Sequence, residues 1–224
     1  MQLSPDETIL WQWRFVTINA TLVYTWVAMA VLVMGAWLVT RRLQTGPDSS
    51  TLQHLLETIV SLIDAQIHEI TQRKAKALIP FVGTLFLFIA TANLLAVIPG
   101  YLSPAGSLST AAALATCVFV AVPTYGIARL GVGRYFRQYT QPSVLMLPFN
   151  IIGEVSRTVA LAIRLFGNVM SGQLIVAILL AVVPLFLPVV MQLFGMLVGV
   201  IQAYIFSVLA TVYIASATAS AESR

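Results

Sequence analysis

The chain has 224 residues, of which 59% are hydrophobic and 9% are charged, whereas charged residues make up about 25% of a soluble domain. This composition excludes water as the main solvent of the chain. The net charge of +4 does not indicate nucleic acid binding, because the basic residues stand at the ends of apolar segments. The only cysteine is Cys117, so the sequence contains no intrachain disulfide and no Cys/His metal spacing.

Three long runs, residues 15–40, 77–128 and 165–221, contain no Asp, Glu, Lys or Arg. About 20 apolar residues cross the hydrocarbon core of a bilayer as a helix, so the second and third runs are each long enough for two passes. We therefore predict an all-α, polytopic membrane protein with about five spanning helices in a single domain over residues 1–224.

The first predicted helix, residues 15–40, is flanked by Trp11 and Arg41, which are residue types that anchor a spanning helix at the membrane interface. Leucine and isoleucine then recur at helical spacing over residues 50–72, which predicts an amphipathic helix on the cytoplasmic surface, docked on lipid or on a partner subunit. The remaining spanning helices are predicted at residues 77–98, 109–128, 143–180 and 188–219.

The basic residues between these segments fall on one side of the membrane if the N-terminus is outside and the C-terminus is cytoplasmic. This arrangement satisfies the positive-inside rule. The residues concerned are Arg41, Arg42, Arg73, Lys74, Lys76, Arg129, Arg134 and Arg137.

Charge interrupts the fourth predicted helix at Glu154, Arg157 and Arg164. An arginine at depth in a bilayer costs at least about 2.5–3.5 kcal/mol and usually marks a bundle interior or an ion path. Arg157 has Glu154 as a local partner three residues away. For Arg164 the functional interpretation is an ion path, and the alternative is a snorkelling side chain or a structural ion pair.

Arg157, Arg164 and Asn168 are separated by seven and four residues, which places them on nearly one helical face, with Gln173 on the opposite face. Because the sequence supplies no clearly free carboxylate for Arg164, we expect its counter-ion on another subunit. In the last helix, the amide of Gln202 can orient the Arg164 guanidinium. Small residues at every fourth position predict close packing on the charged helix, namely Gly195, Gly199, Ala203 and Ser207.

Three strings of residues resemble subunit a of F-type ATP synthases. They are Arg164-Leu165-Phe166-Gly167-Asn168 with Gly172 following, Gln202-Ala203-Tyr204-Ile205-Phe206, and Asn93-Leu94-Leu95-Ala96-Val97-Ile98-Pro99-Gly100. The resemblance covers most of the chain from about residue 75 onward.

This resemblance implies a stator subunit whose two long helices pack against a ring of c subunits and which provides two offset half-channels. It implies that Arg164 is the essential arginine, and Asn168 and Gln202 fall at matching motif positions. We expect the ion path to be lined by Asn168, Gln202 and Gln173, with supporting positions at Glu154, Arg157 and Asn93. The implied partners are the c-ring, the subunit b peripheral stalk, the remainder of the synthase and the lipid bilayer. The implied location is the cell inner (plasma) membrane, and no cofactor or nucleic acid is implied.

The sequence departs from the common bacterial pattern of that family at three positions. Gln173 and Gly195 stand where a glutamate and a histidine are usual, and Ala96 replaces a frequent acid. The outer half-channel is therefore poor in titratable groups, and its amides suit Na⁺ as well as H⁺, of which we predict H⁺. The Ser156-Arg157-Thr158-Val159-Ala160 string is similar to the N-type branch, some members of which are thought to move sodium.

Two other classes of protein are compatible with a polytopic chain. A self-contained secondary transporter should show paired repeats and broken helices, neither of which is evident in the sequence. A purely structural scaffold predicts that Arg164 matters only for assembly. The sequence has no nucleotide-binding glycine loop, metal motif or nucleophile constellation, so we expect ATP chemistry to belong to partner subunits.

Overall fold

A computed structural model describes residues 9–13, 16–41, 51–71, 76–98, 101–139, 145–182 and 186–219. Within these ranges the chain forms one antiparallel hairpin and seven α-helices. The strands are β1 (Ile9–Trp13) and β2 (Val16–Asn19). The helices are α1 (Ala20–Thr40), α2 (Thr51–Thr71), α3 (Ile79–Leu94), α4 (Leu108–Leu130), α5 (Val132–Tyr139), α6 (Met146–Val182) and α7 (Leu187–Ala219).

Five of these helices are long and apolar enough to cross a membrane, namely α1, α3 with its flanking 3-10 turns, α4, α6 and α7. This finding confirms the prediction of an all-α, polytopic membrane protein. The helix α2 between the first two spans is amphipathic, and it packs against α3 and α7 through the buried side chain of Ile67.

The N-terminal hairpin was not predicted. β2 contains the β-branched residues Val16, Thr17 and Ile18, which favour strands, and it pairs with β1. Consequently α1 begins at Ala20 rather than at residue 15, after Asn19 in an extended conformation.

A short helix, α5, follows α4 and was also absent from the predictions. Gly131 adopts a φ of 78°, a left-handed conformation that favours glycine, and thereby ends α4. The chain then folds back so that the buried Tyr135 ring covers Gly126, where a Cβ atom would overlap the ring. This leaves Arg134 and Arg137 exposed at the end of the span.

The helices α6 and α7 have 37 and 33 residues. At 1.5 Å per residue they are roughly 55 and 50 Å long, whereas the hydrocarbon core of a bilayer is about 30 Å thick. They therefore extend beyond that core or cross it at a steep tilt, which spreads their side chains over a wide area of the membrane.

The core lies where α3, α4, α6 and α7 meet, around fully buried side chains such as Ile89, Leu165 and Phe206. The small residues predicted to pack on the charged helix are buried at Gly199, Ala203 and Ser207. At Gly199, however, the neighbour is Asn93 of α3, so the predicted partner helix is wrong at that position.

Candidate functional site

Arg164 stands at the centre of α6, on the exposed edge of its packed face. Its neighbours Leu161 and Leu165 are buried in the core, while the guanidinium has no hydrogen-bond or ion-pair partner within the described ranges. Such a cation in a spanning segment requires an anion or water from outside this part of the chain.

Arg157 lies near the same face of α6 but has a different environment. Its guanidinium carbon lies 5.9 Å from the ring centroid of Tyr213 on α7, a cation–π distance. Among the described residues it forms no ion pair with Glu154, the local partner that the sequence suggested, and Glu154 is half-buried. The Tyr213 ring therefore gives Arg157 a partner within the chain, in contrast to Arg164.

Asn168 and Gln202 join α6 to α7, one helical turn from Arg164. The Asn168 Nδ2 donates to the Gln202 Oε1 over 2.7 Å. Gln202 is only 1% exposed, and its Nε2 is buried without a partner among the described residues. The sequence suggested that Gln202 could orient the Arg164 guanidinium, and the structure brings the Gln202 carbonyl oxygen to Asn168 and leaves the buried Nε2 without a partner among the described residues.

Gln173 lies on the face of α6 opposite Arg164, as its spacing predicts. It packs against the loop between α3 and α4, where a Cβ atom on Gly106 would lie 2.7 Å from the Gln173 Oε1. That oxygen is buried without a hydrogen-bond partner among the described residues. The structure therefore separates Gln173 from the Arg164–Asn168–Gln202 group and places it beside a buried loop.

Asn93 connects α3 to both the loop and α7. Its Nδ2 donates to the Gly199 carbonyl oxygen over 3.1 Å, and its Oδ1 accepts from the Ser103 Oγ over 3.0 Å. Asn93 is 4% exposed. Sequence reasoning missed Ser103, since no periodic pattern marks the loop, but the small residue at Gly199 was a signal for this close approach.

We expect Gly199→Ala to destabilise the protein, because the added Cβ would lie 2.7 Å from the Asn93 Cβ, closer than such atoms approach in real structures. Overpacking of this kind costs about 1–3 kcal/mol. A lower melting temperature of the purified complex checks the prediction. The matched control is Gly195→Ala on the same helix, whose Cβ meets nothing within 4 Å. Equal melting temperatures for the two variants would contradict the packing argument.

The loop between α3 and α4 also contains Tyr101, whose Oη is buried without a partner among the described residues and whose ring contacts Tyr24 edge-on. Burial, with a smaller effect of Tyr24, raises the pKa of Tyr101 to about 12. Its hydroxyl group therefore stays protonated at neutral pH and does not exchange its proton by ionising. Residues 77–128 and 165–221 contain no Asp or Glu, so the polar side chains that they bring to this loop are amides and hydroxyls.

The family model described as ATP synthase A chain matches residues 22–215. The chain is 60% identical over 216 residues to ATP synthase subunit a 1 of Crocosphaera subtropica, which covers 96% of this chain and 94% of the relative. It is 58% identical to ATP synthase subunit a of Albidiferax ferrireducens, covering 97% and 94%. It is 56% identical to ATP synthase subunit a 1 of Chlorobaculum parvum, covering 99% and 98%.

These matches extend over α1 to α7 and therefore include Arg164, Asn168 and Gln202 together with the helices that position them. The resemblance that the three sequence strings indicated is confirmed over nearly the whole length of the chain. This multi-pass membrane protein belongs to the ATP synthase A chain family.

Proposed function

We propose that this chain is the ion-translocating stator subunit of a rotary ATP synthase and that Arg164 is its electrostatic gate. The observation that carries the proposal is the exposed guanidinium at the centre of a 37-residue apolar helix, without a counter-ion among the described residues. Its partner is a carboxylate on each subunit of a rotating c-ring, which faces the exposed edge of α6.

The chemistry follows from the charge of arginine, which stays protonated in proteins and so cannot relay protons. A cation near a carboxylate favours its ionised form and lowers its pKa by about 1–3 units. Each ring carboxylate therefore releases its ion as it reaches Arg164 and binds another ion after it has passed. The same fixed charge repels ions that would otherwise cross directly between the two access paths.

The polar side chains divide into three groups along this route. Gln173 and Asn93 support the outer half-channel, and the Asn168–Gln202 pair lies beside the gate, where the free Gln202 amide donor suits a water molecule. Glu154 and Arg157 lie toward the N-terminal end of α6 and support the inner half-channel. Water between these groups carries the ion.

The family assignment supports the remaining assembly. The chain works with the c-ring, the subunit b peripheral stalk and the rest of the synthase in the bacterial plasma membrane, and the catalytic sites for ATP lie on other subunits. The exposed basic residues Arg41, Lys76 and Arg129 fit the orientation with the N-terminus outside and the C-terminus in the cytoplasm.

The transported ion is proposed to be H⁺, with Na⁺ as the second candidate because amide oxygens line the outer side. ATP-driven uptake into vesicles that hold the whole complex distinguishes the two ions. Uptake that a protonophore abolishes and that needs no sodium supports H⁺. Uptake that requires sodium and survives the protonophore contradicts the H⁺ assignment, and ATP-independent uptake contradicts the stator function.

We expect Gln173→Glu to give uptake a new dependence on pH, because the variant places an ionisable group where the wild-type chain has an amide oxygen. Comparing uptake rates across pH for the variant and the wild type measures this. The matched control is Gln66→Glu on the surface helix α2, where the new carboxylate can still accept the hydrogen bond from Tyr204. An unchanged pH profile for Gln173→Glu would remove Gln173 from the path.

A further inference from the structure

A cavity of about 220 Å³ lies between the surface helix α2 and the spanning helices α3 and α7. Its walls are formed by α2 from Ile59 to Ile67, by Val82 and Phe86 of α3, and by one face of α7 from Tyr204 to Thr211. We propose that this cavity is a binding site for one acyl chain of a membrane phospholipid. The inference does not depend on the gate at Arg164.

The polar side chains in the wall are already engaged. The Tyr204 Oη donates to the Gln66 Oε1 over 2.6 Å. The Ser207 Oγ and the Thr211 Oγ1 each donate over 2.9 Å to a carbonyl oxygen of the preceding turn of α7. A buried water needs about two to four polar partners, so this wall favours an apolar occupant.

The volume argues in the same direction. Protein interiors are close-packed, with few voids larger than a water molecule, and a dry apolar cavity of about 150 Å³ binds benzene. At about 220 Å³ the cavity between α2, α3 and α7 is larger than that benzene site. In a bilayer, acyl chains are the apolar molecules present at the highest concentration.

The shape of the site selects an acyl chain over a partner helix. A helix with its side chains is about 10–12 Å in diameter and does not fit such a volume, whereas a segment of a single hydrocarbon chain does. The wall residues Leu62 and Tyr204 are 64% and 48% exposed, so the cavity opens to the surface of the chain. The exposed Lys76 begins the short turn before α3 and suits an anionic headgroup.

The test uses the whole complex in vesicles that contain a phospholipid with a diazirine group on one acyl chain. After illumination, we expect mass spectrometry to find the label on peptides holding residues 59–67 and 204–211. When an excess of unlabelled lipid is added shortly before illumination, these peptides should keep their label, because a chain held in the cavity exchanges slowly, whereas labelling of the exposed helix α1 should fall.

Two variants fill the cavity, Val82→Phe from α3 and Ser207→Leu from α7. Each should remove the retained label from the cavity peptides while the complex still assembles. The matched control is Val33→Phe on α1, where the side chain is 69% exposed and outside the cavity, and it should change nothing. Two variants are used so that misfolding of one does not decide the result.

Three outcomes would overturn the proposal. The first is equal retained labelling in the wild type and in both filled variants that assemble. The second is labelling of α1 with none on the cavity peptides. The third is labelling of the cavity peptides only after another subunit has been removed, which would assign the cavity to a side chain of that subunit.

Discussion

We expect ATP-driven ion uptake into vesicles to fall strongly when Arg164 is replaced by alanine, in a complex that still assembles. The variant removes the cation that favours ionisation of the ring carboxylate, a stabilisation of about 1–3 pKa units, or about 1.4–4 kcal/mol. We therefore expect uptake to fall by roughly tenfold to a thousandfold. Uptake is measured by the quenching of a pH-sensitive or sodium-sensitive dye, with the amount of assembled complex determined on the same vesicles.

The matched control for this prediction is Arg157→Ala. Both residues are arginines on nearly the same face of α6, but Arg157 lies over the Tyr213 ring, whereas Arg164 has no partner among the described residues. We expect Arg157→Ala to reduce uptake less than Arg164→Ala does. Equal losses, or normal uptake by assembled Arg164→Ala, would contradict the gate and favour a structural role.

Replacement of Gln202 by leucine is expected to have the second largest effect. The variant removes the acceptor of the Asn168 Nδ2, and a hydrogen bond of this kind contributes about 0.5–1.5 kcal/mol to stability. It also replaces the free amide donor beside the gate with an apolar group. We expect both a lower melting temperature of the complex and slower uptake per assembled complex.

Gln192→Leu serves as the comparison for that variant. Gln192 is also on α7 and donates its Nε2 to the Ala96 carbonyl oxygen, but it lies near the opposite end of the helix from the inner half-channel and far from Arg164. It should lower the melting temperature with a smaller effect on uptake. If Gln202→Leu changed only stability and left uptake per complex unchanged, Gln202 would be a packing residue.

The spanning helices could be predicted because a bilayer-spanning helix needs a long apolar segment, and hydropathy alone identifies such segments. The shared face of Arg157, Arg164 and Asn168 on α6 also followed from the sequence, because these residues recur at the helical period. Hydropathy does not show how one helix is rotated relative to its neighbour. For that reason the sequence suggested Gln202 as a partner of Arg164, whereas the structure pairs Gln202 with Asn168.

The loop between α3 and α4 and the N-terminal hairpin show a second limit. Ser103 and Gly106 have no periodic neighbours, so their approach to Asn93 and Gln173 depends on tertiary packing alone. The strand β2 belongs to the same uncharged run as α1, and an apolar run does not show where extended chain ends and helix begins.

Passive ion flux is the measurement that tests the central claim most directly. Vesicles holding the assembled complex are given a membrane potential without nucleotide, and ion entry is compared for the wild type, Arg164→Lys and Arg164→Ala. A fixed positive charge between two half-channels predicts little entry for the first two and a clear leak for Arg164→Ala. If assembled Arg164→Ala complexes were as tight as the wild type, Arg164 would not separate the two paths and the account would be wrong.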